Sequence, residues 1–136
     1  HRAVDERFIL GALGDFGNEM KALRLCKRMH EENSAFYLLP LALLYYKLGN
    51  WPKAKDYLEK LKANYPDTKK FLRAVKRNDR YFFGQYSNPY GYAKGDTSEL
   101  IVAYEDNLYV YSREPSFFEW ADKALIVHRK KSSGKK

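Results

Sequence analysis

Residues 49–54 read Gly-Asn-Trp-Pro-Lys-Ala, and residues 17–22 read Gly-Asn-Glu-Met-Lys-Ala, 32 positions earlier. Each stretch follows one helical pattern and precedes another. Recurrence at a period of about thirty residues is typical of stacked helical hairpins. We therefore predict a mainly α-helical chain built on a repeat array, a class that generally supplies interaction surfaces.

The second copy predicts a helix over residues 36–48 and another up to Asn64. Apolar residues recur at steps of three and four in the first of these helices, at Leu38, Leu41, Ala42, Tyr45 and Leu48. Gly49 suits the left-handed residue that ends a helix, and Pro52 suits the first turn of the next. Because a proline inside a helix kinks it, we expect the first helix to become regular only near Pro40. Pro66 enforces the stop after the second helix.

Residues 35–68 resemble a tetratricopeptide repeat (TPR). The family pattern of small, aromatic and turn residues is met by Ala42, Tyr45, Gly49, Trp51, Ala54, Leu58 and Pro66. Small residues let two helices approach, and large ones fill the space between them. The resemblance implies TPR-like helical hairpins stacked as an α-α superhelix, whose partner is another protein or a peptide.

The first copy is a weaker match to the same pattern. Residues 8–16 and 20–31 predict its two helices, joined by Gly17-Asn18. No aromatic residue follows this turn, and Ser34 stands where the family prefers proline. The segment is either a divergent repeat or a generic helical hairpin.

The repeat pattern stops after the second copy, since Tyr81-Phe82 occupies the next expected Gly-Asn position. We predict three parts. Residues 1–78 form TPR-like repeats and a following helix over 68–78. Residues 79–128 form an aromatic-rich loop and C-terminal helices that cap the array. Residues 129–136 form a basic flexible tail.

The net charge of +8 is concentrated in this tail, which carries five basic residues and no acidic one. Without the tail, 20 basic residues face 17 acidic ones, and the body is only mildly basic. A single cysteine, Cys26, fits a reducing compartment, and no run approaches the roughly 20 apolar residues of a membrane helix. We therefore expect a cytoplasmic protein that does not enter a membrane.

The C-terminal half predicts an irregular stretch over residues 79–96 and then more helices. Asp96 or Thr97 suits a helix cap, and Glu99 suits the first turn. Residues 100–111 fit a helix, but two β-prone runs around Glu105-Asp106-Asn107 also fit a hairpin. A last helix starts at Pro115. Residues 88–125 are similar to the segment that closes some bacterial tetratricopeptide proteins and the suppression-of-tumorigenicity family, which supports the helical alternative.

No residue pattern here indicates catalysis, a cofactor or a metal ion. Cys26 and His30 have no second Cys/His pair to complete a zinc site. Phosphate-binding glycine loops and nucleophile elbows are absent from the sequence. We expect a protein that is not an enzyme, with no catalytic residue and no metal ligand.

The candidate binding residues belong to two alternative sites. By resemblance to the family, a peptide-binding groove would use Phe36, Leu39, Leu43, Tyr46 and Lys47, to which charge adds Arg7, Arg73 and Lys76. Nucleic acid would instead meet a basic helix at Lys69, Arg73, Lys76, Arg77 and Arg80, together with the tail. The sequence also permits a solvated basic face with no ligand, and self-association through exposed repeat ends.

Overall fold

The structure is a computed structural model that describes residues 34–134 of the chain, with side chains up to residue 125. The predicted first hairpin and Arg7 lie outside the described residues. Within the described range the backbone forms seven helices and no strand. They are α1 (Ala35–Lys47), α2 (Trp51–Asn64), α3 (Thr68–Arg77), α4 (Arg80–Gln85), α5 (Thr97–Glu105), α6 (Leu108–Tyr111) and α7 (Pro115–Gly134). The predicted mainly α, TPR-like fold is confirmed.

The turn between α1 and α2 forms as predicted. Gly49 has a φ of +82°. Its N–H donates a hydrogen bond to the Tyr46 carbonyl at 3.0 Å, and the Asn50 N–H donates to the Tyr45 carbonyl at 2.9 Å. This pair of bonds is the Schellman arrangement that closes a helix on a left-handed residue. Asn50 also accepts a bond from the Lys53 N–H and so caps α2. Hydrogen bonds between residues close in sequence therefore fix the turn of the hairpin.

Helix α1 begins at Ala35, so the expectation that it becomes regular near Pro40 is wrong. Ser34 caps the helix by accepting from the Phe36 N–H at 3.1 Å, and the Ala35 N–H donates to the Tyr65 hydroxyl at 3.0 Å. An interior proline costs about 3 kcal/mol. Burial offsets this cost, since Ala35 and residues 37–45 are all buried.

Helix α4 corrects the prediction that residues 79–96 are irregular throughout. Asn78 adopts a left-handed φ of 54° and ends α3, after which Asp79 accepts from the Phe82 N–H at 3.1 Å and starts α4. Phe82 is buried, and Phe83 packs edge-on against Phe71 of α3. Tertiary packing of these rings supports a helix too short to be stable alone.

The loop before α5 returns the chain to the first hairpin. Asp96 caps α5 by accepting from the Ser98 N–H at 3.1 Å, as the sequence predicts. Buried Glu99 accepts hydrogen bonds from the Tyr65 hydroxyl at 2.8 Å, the Gly95 N–H at 2.7 Å and the Ser34 hydroxyl at 3.3 Å. Its carboxylate therefore ties the start of α5 to both α1 and the end of α2.

A second carboxylate strengthens this junction. Asp67, just before α3, accepts from the hydroxyls of Thr97 at 3.3 Å and Tyr86 at 3.4 Å. Burial, and then the charge of Asp67, raise the pKa of Tyr86. Burial and the bond to Glu99 likewise raise the pKa of Tyr65. Both phenols stay neutral and act as hydrogen-bond donors near neutral pH.

Residues 100–111 are helical, which excludes the alternative hairpin. The helix breaks at Asp106-Asn107, so two helices, α5 and α6, replace one. Leu100, Ile101 and Ala103 are buried, a pattern that alternation along a strand does not produce.

Helix α7 begins at Pro115, as predicted, and closes the core. Phe117, Phe118, Ala121 and Leu125 are buried along its inner side. The helix packs mainly on α3 and also on α2. It extends to Gly134 and so reaches into the basic segment that the sequence predicted as a separate flexible tail.

Only part of the aromatic-rich segment caps the core. Phe82 is buried and Phe83 and Tyr86 pack against the core, whereas Tyr81 and Tyr90 are exposed. Aromatic residues of α5 to α7 supply the rest, because Tyr104 lies 5.6 Å from Tyr111 and 5.7 Å from Phe118 between ring centroids.

Candidate functional site

Three basic side chains of α3 converge on one carboxylate of α7. Lys76 Nζ donates to Asp122 Oδ2 at 3.0 Å, while Lys69 Nζ and Arg73 Nε each lie 3.4 Å from Asp122 Oδ1. Residues spaced by four and then three positions share one face of a helix, so α3 presents all three toward α7. We call Lys69, Arg73, Lys76 and Asp122 the basic cluster. Its three cations share the one carboxylate of Asp122.

The basic cluster has a buried side and an accessible side. The side chains of Lys69 and Asp122 are 9% and 7% exposed, whereas those of Lys76 and Arg73 are 28% and 45% exposed. Burial alone would raise the pKa of Asp122, but the hydrogen bond from Lys76 and the charges of Lys69 and Lys76 outweigh it and lower the pKa. Asp122 therefore stays ionised, and solvent or a ligand reaches the cluster through Arg73 and Lys76.

A groove of about 490 Å³ borders the basic cluster where α3 meets the start of α7. Three of its six lining residues are apolar and three are polar. The lining residues are Val75, Lys76, Pro115, Ser116, Phe118 and Glu119. We call this cavity the α3–α7 groove. Because Lys76 belongs to both, the groove and the basic cluster form one continuous surface.

A second cavity, of about 380 Å³, has the opposite charge. It lies between α5 and the segment from α4 to Gly91, and its lining includes Phe83, Tyr86 and Glu105. Burial, and then the charge of Asp106, raise the pKa of Glu105. This cavity would disfavour an anionic ligand, because its lining carries the carboxyl group of Glu105 beside Asp106 and includes no basic residue.

The apolar residues predicted for a peptide groove lie in or against the core. Leu39 and Leu43 have no exposed surface and therefore offer no contact to a ligand in this structure. The ring of Phe36 lies 5.5 Å from that of Tyr92. The sequence predicted that these residues lie on an inner helical face open to a ligand. In the structure α1 is buried on nearly all sides, and other residues of the chain pack against that face.

The C-terminal segment also covers Tyr46 and Lys47, the other two predicted groove residues on α1. The Tyr46 ring lies 5.2 Å from the Trp120 ring, and its hydroxyl donates to Ser116 Oγ at 2.8 Å. Lys47 Nζ lies 3.8 Å from a carboxylate oxygen of Glu114. The structure brings these residues together with α7 and its preceding turn.

The residues predicted for nucleic acid divide into two groups. Lys69 was expected on a solvated face but is buried beside Asp122, and Arg73 and Lys76 contact the same carboxylate. Arg77 and Arg80 are exposed, and the exposed ring of Tyr81 follows them in the chain. The basic helix is thus partly neutralised within the molecule.

Sequence reasoning missed Asp122, although the sequence holds a signal for it. Asp122 follows Phe118 by four positions and Ala121 by one, so a helix that buries both of these residues brings Asp122 to the edge of the same face. A carboxylate on a buried face requires a cation. The basic residues of α3 were the available partners.

Two kinds of site are not found in the described part of the chain. No three His, Cys, Asp or Glu side chains of residues 34–125 group closely enough to hold a metal ion. None of the described helices combines the length and the apolar character needed to cross a membrane. The Cys26–His30 pair singled out in the sequence lies outside the described residues.

Comparison with known proteins agrees with the architecture of the first described hairpin. The family model of the tetratricopeptide repeat matches residues 37–68, which cover α1 from its third residue, α2 and the turn after it. The comparisons found no significant similarity to a curated protein or to a solved structure. The chain is therefore similar to this repeat family over one hairpin.

Proposed function

We propose that the chain is a non-catalytic helical-repeat scaffold that binds another protein or a peptide segment. Tetratricopeptide repeats generally mediate protein–protein interaction, and the match over residues 37–68 supports the same role here. The single cysteine of the sequence supports a cytoplasmic location, because it fits a reducing compartment.

The observation that carries the proposal is the pair of accessible cations on α3, Arg73 and Lys76, next to the TPR-like hairpin. Of the residues predicted for the groove, Arg73 and Lys76 combine charge with exposed side-chain surface. The α1 positions are filled or covered by the chain's own C-terminal segment. We therefore propose that a partner contacts α3 rather than the inner face of α1.

The proposal is tested by a pull-down with residues 1–136 as bait, with and without nuclease, followed by mass spectrometry. We expect specific proteins that are retained after nuclease treatment and released by excess free bait. Retention that disappears with nuclease, or no specific retention in either condition, would contradict protein binding. Light scattering of the isolated chain identifies self-association, which would account for retention of the bait's own sequence alone.

Nucleic acid is the second candidate, and the exposed group of Arg77, Arg80 and Tyr81 favours it. Basic side chains beside an exposed aromatic ring track a phosphate backbone and stack bases. Such binding weakens steeply with salt because counterions are released. Binding of a single-stranded oligonucleotide, measured by fluorescence anisotropy at rising salt, tests this candidate.

A further inference from the structure

We infer that the α3–α7 groove and the adjoining basic cluster receive an acidic peptide segment that also carries an apolar side chain. The inference rests on the proposed function, since it assumes that the ligand is a protein. It adds the place of binding and the chemistry of the partner. The partner's carboxylate would meet Arg73 and Lys76, and its apolar side chain would enter the groove.

The charge argument starts from Arg73 and Lys76, two accessible cations that share the carboxylate of Asp122. Because Asp122 is shielded from solvent, its surroundings screen these charges less than water does. Arg73 uses Nε toward Asp122, while a guanidinium carries five N–H donors in a fork that matches a carboxylate. A second carboxylate beside Arg73 and Lys76 would give these two cations a further anionic partner.

The apolar argument concerns the shape and lining of the groove. A volume of about 490 Å³ falls within the range of small-ligand sites, roughly 300–1,000 Å³. Val75 and Pro115 supply apolar contacts directly beside Lys76. A site with an apolar lining and a cationic edge selects a segment that carries an apolar side chain next to an acidic one.

The lining favours an acidic peptide over nucleic acid. Base stacking requires an exposed aromatic face, but Phe118, the aromatic residue in this groove, is buried. Glu119 also lines the groove and would repel a phosphate chain that passed along it. A single carboxylate that contacts the two cations needs no stacking and meets Glu119 with one negative charge rather than with a chain of phosphates.

Substitution of Glu119 tests the inference through a gain of affinity, which a misfolded variant would not show. If an acidic segment occupies the groove, Glu119→Gln removes a repulsion and raises affinity, by up to about fivefold for an exposed charge. Arg73→Ser removes a charge-assisted bond and lowers affinity by about tenfold or more. Arg73→Ser leaves Lys69 and Lys76 on Asp122, so the cluster that fastens α7 remains.

The experiment is selection of a displayed random-peptide library on the full chain, followed by affinity measurements on the enriched peptides. Charge-matched controls are Lys94→Ser for Arg73→Ser and Asp56→Asn for Glu119→Gln, since both control residues are exposed. Circular dichroism verifies that each variant is folded. We expect enriched peptides that are acidic and apolar, weakened by Arg73→Ser, strengthened by Glu119→Gln and unchanged by the controls.

Two other outcomes separate the inference from the proposed function. Enriched peptides that are basic or uncharged, or that bind both site variants like the wild type, would overturn the groove assignment and leave protein binding intact. No enrichment, together with salt-sensitive binding of single-stranded DNA, would overturn both.

Discussion

The hydroxyl of Tyr65 donates a hydrogen bond to Glu99 over 2.8 Å and thereby joins the end of α2 to the first turn of α5. The same hydroxyl accepts the Ala35 N–H at 3.0 Å. One phenol thus donates to a buried carboxylate and accepts from the first N–H of α1. The junction holds the C-terminal helices on the repeat hairpin.

Replacing Tyr65 with phenylalanine should destabilise the fold by about 1–3 kcal/mol, because it leaves buried polar groups without their partner. Urea unfolding followed by circular dichroism measures the change. Tyr90→Phe is the matched control, since Tyr90 is 96% exposed and the same oxygen is removed there. Equal effects of the two substitutions would contradict a role for the junction in stability.

Asp122→Asn should destabilise the protein by about 3 kcal/mol near neutral pH. The substitution preserves the shape of the side chain but removes the carboxylate that three cations of α3 share, and breaking a buried ion pair from one side is costly. Asp56→Asn, at an exposed site of α2, should change stability by less than about 0.5 kcal/mol. Thermal and urea unfolding of the two variants should therefore separate them widely.

The stability contributed by Asp122 should depend on pH in the acid range. Its pKa is lowered in the folded protein from an ordinary value of 3.8, so the folded state favours the ionised form. The contribution is complete above this value and is lost as pH falls through the lower folded pKa. The difference in unfolding free energy between the wild type and Asp122→Asn should shrink below about pH 4. A difference that stays constant to about pH 2 would exclude this ionisation as its source.

Gly49→Ala should destabilise the hairpin by about 1–2 kcal/mol, because a left-handed conformation is unfavourable for a residue with a Cβ. Open space surrounds the position, so the effect reports backbone conformation rather than a clash. Gly84→Ala is the control, as Gly84 lies in α4 without a positive φ and also faces open space. It should leave stability unchanged or raise it by up to about 1 kcal/mol. Urea unfolding measures both variants. An unchanged free energy of unfolding for Gly49→Ala would contradict the requirement for a left-handed residue at this turn.

Turn and cap residues that act locally explain why so much of the fold was predictable from the sequence. Gly49, Asn50 and Asp96 act on backbone groups within a few residues, and each has the predicted turn or cap role. Helix α4 was missed because its stability depends on packing of Phe82 and Phe83 rather than on a long periodic pattern. Pro40 misled the prediction of α1 because burial of the surrounding residues outweighs a local cost.

The sequence by itself determined the helical class, the hairpin of α1 and α2, and the cap and first turn of α5, because local hydrogen bonds and apolar periodicity encode these features. Only the tertiary structure decided which surfaces remain open. Helix α7 docks on α3 through Asp122, and its first turns cover Tyr46, a residue about seventy positions earlier in the chain. Apolar periodicity specifies that a helix face is covered, but it does not specify by which segment. The accessible cations and the α3–α7 groove therefore emerge only when α7 is packed against the earlier helices.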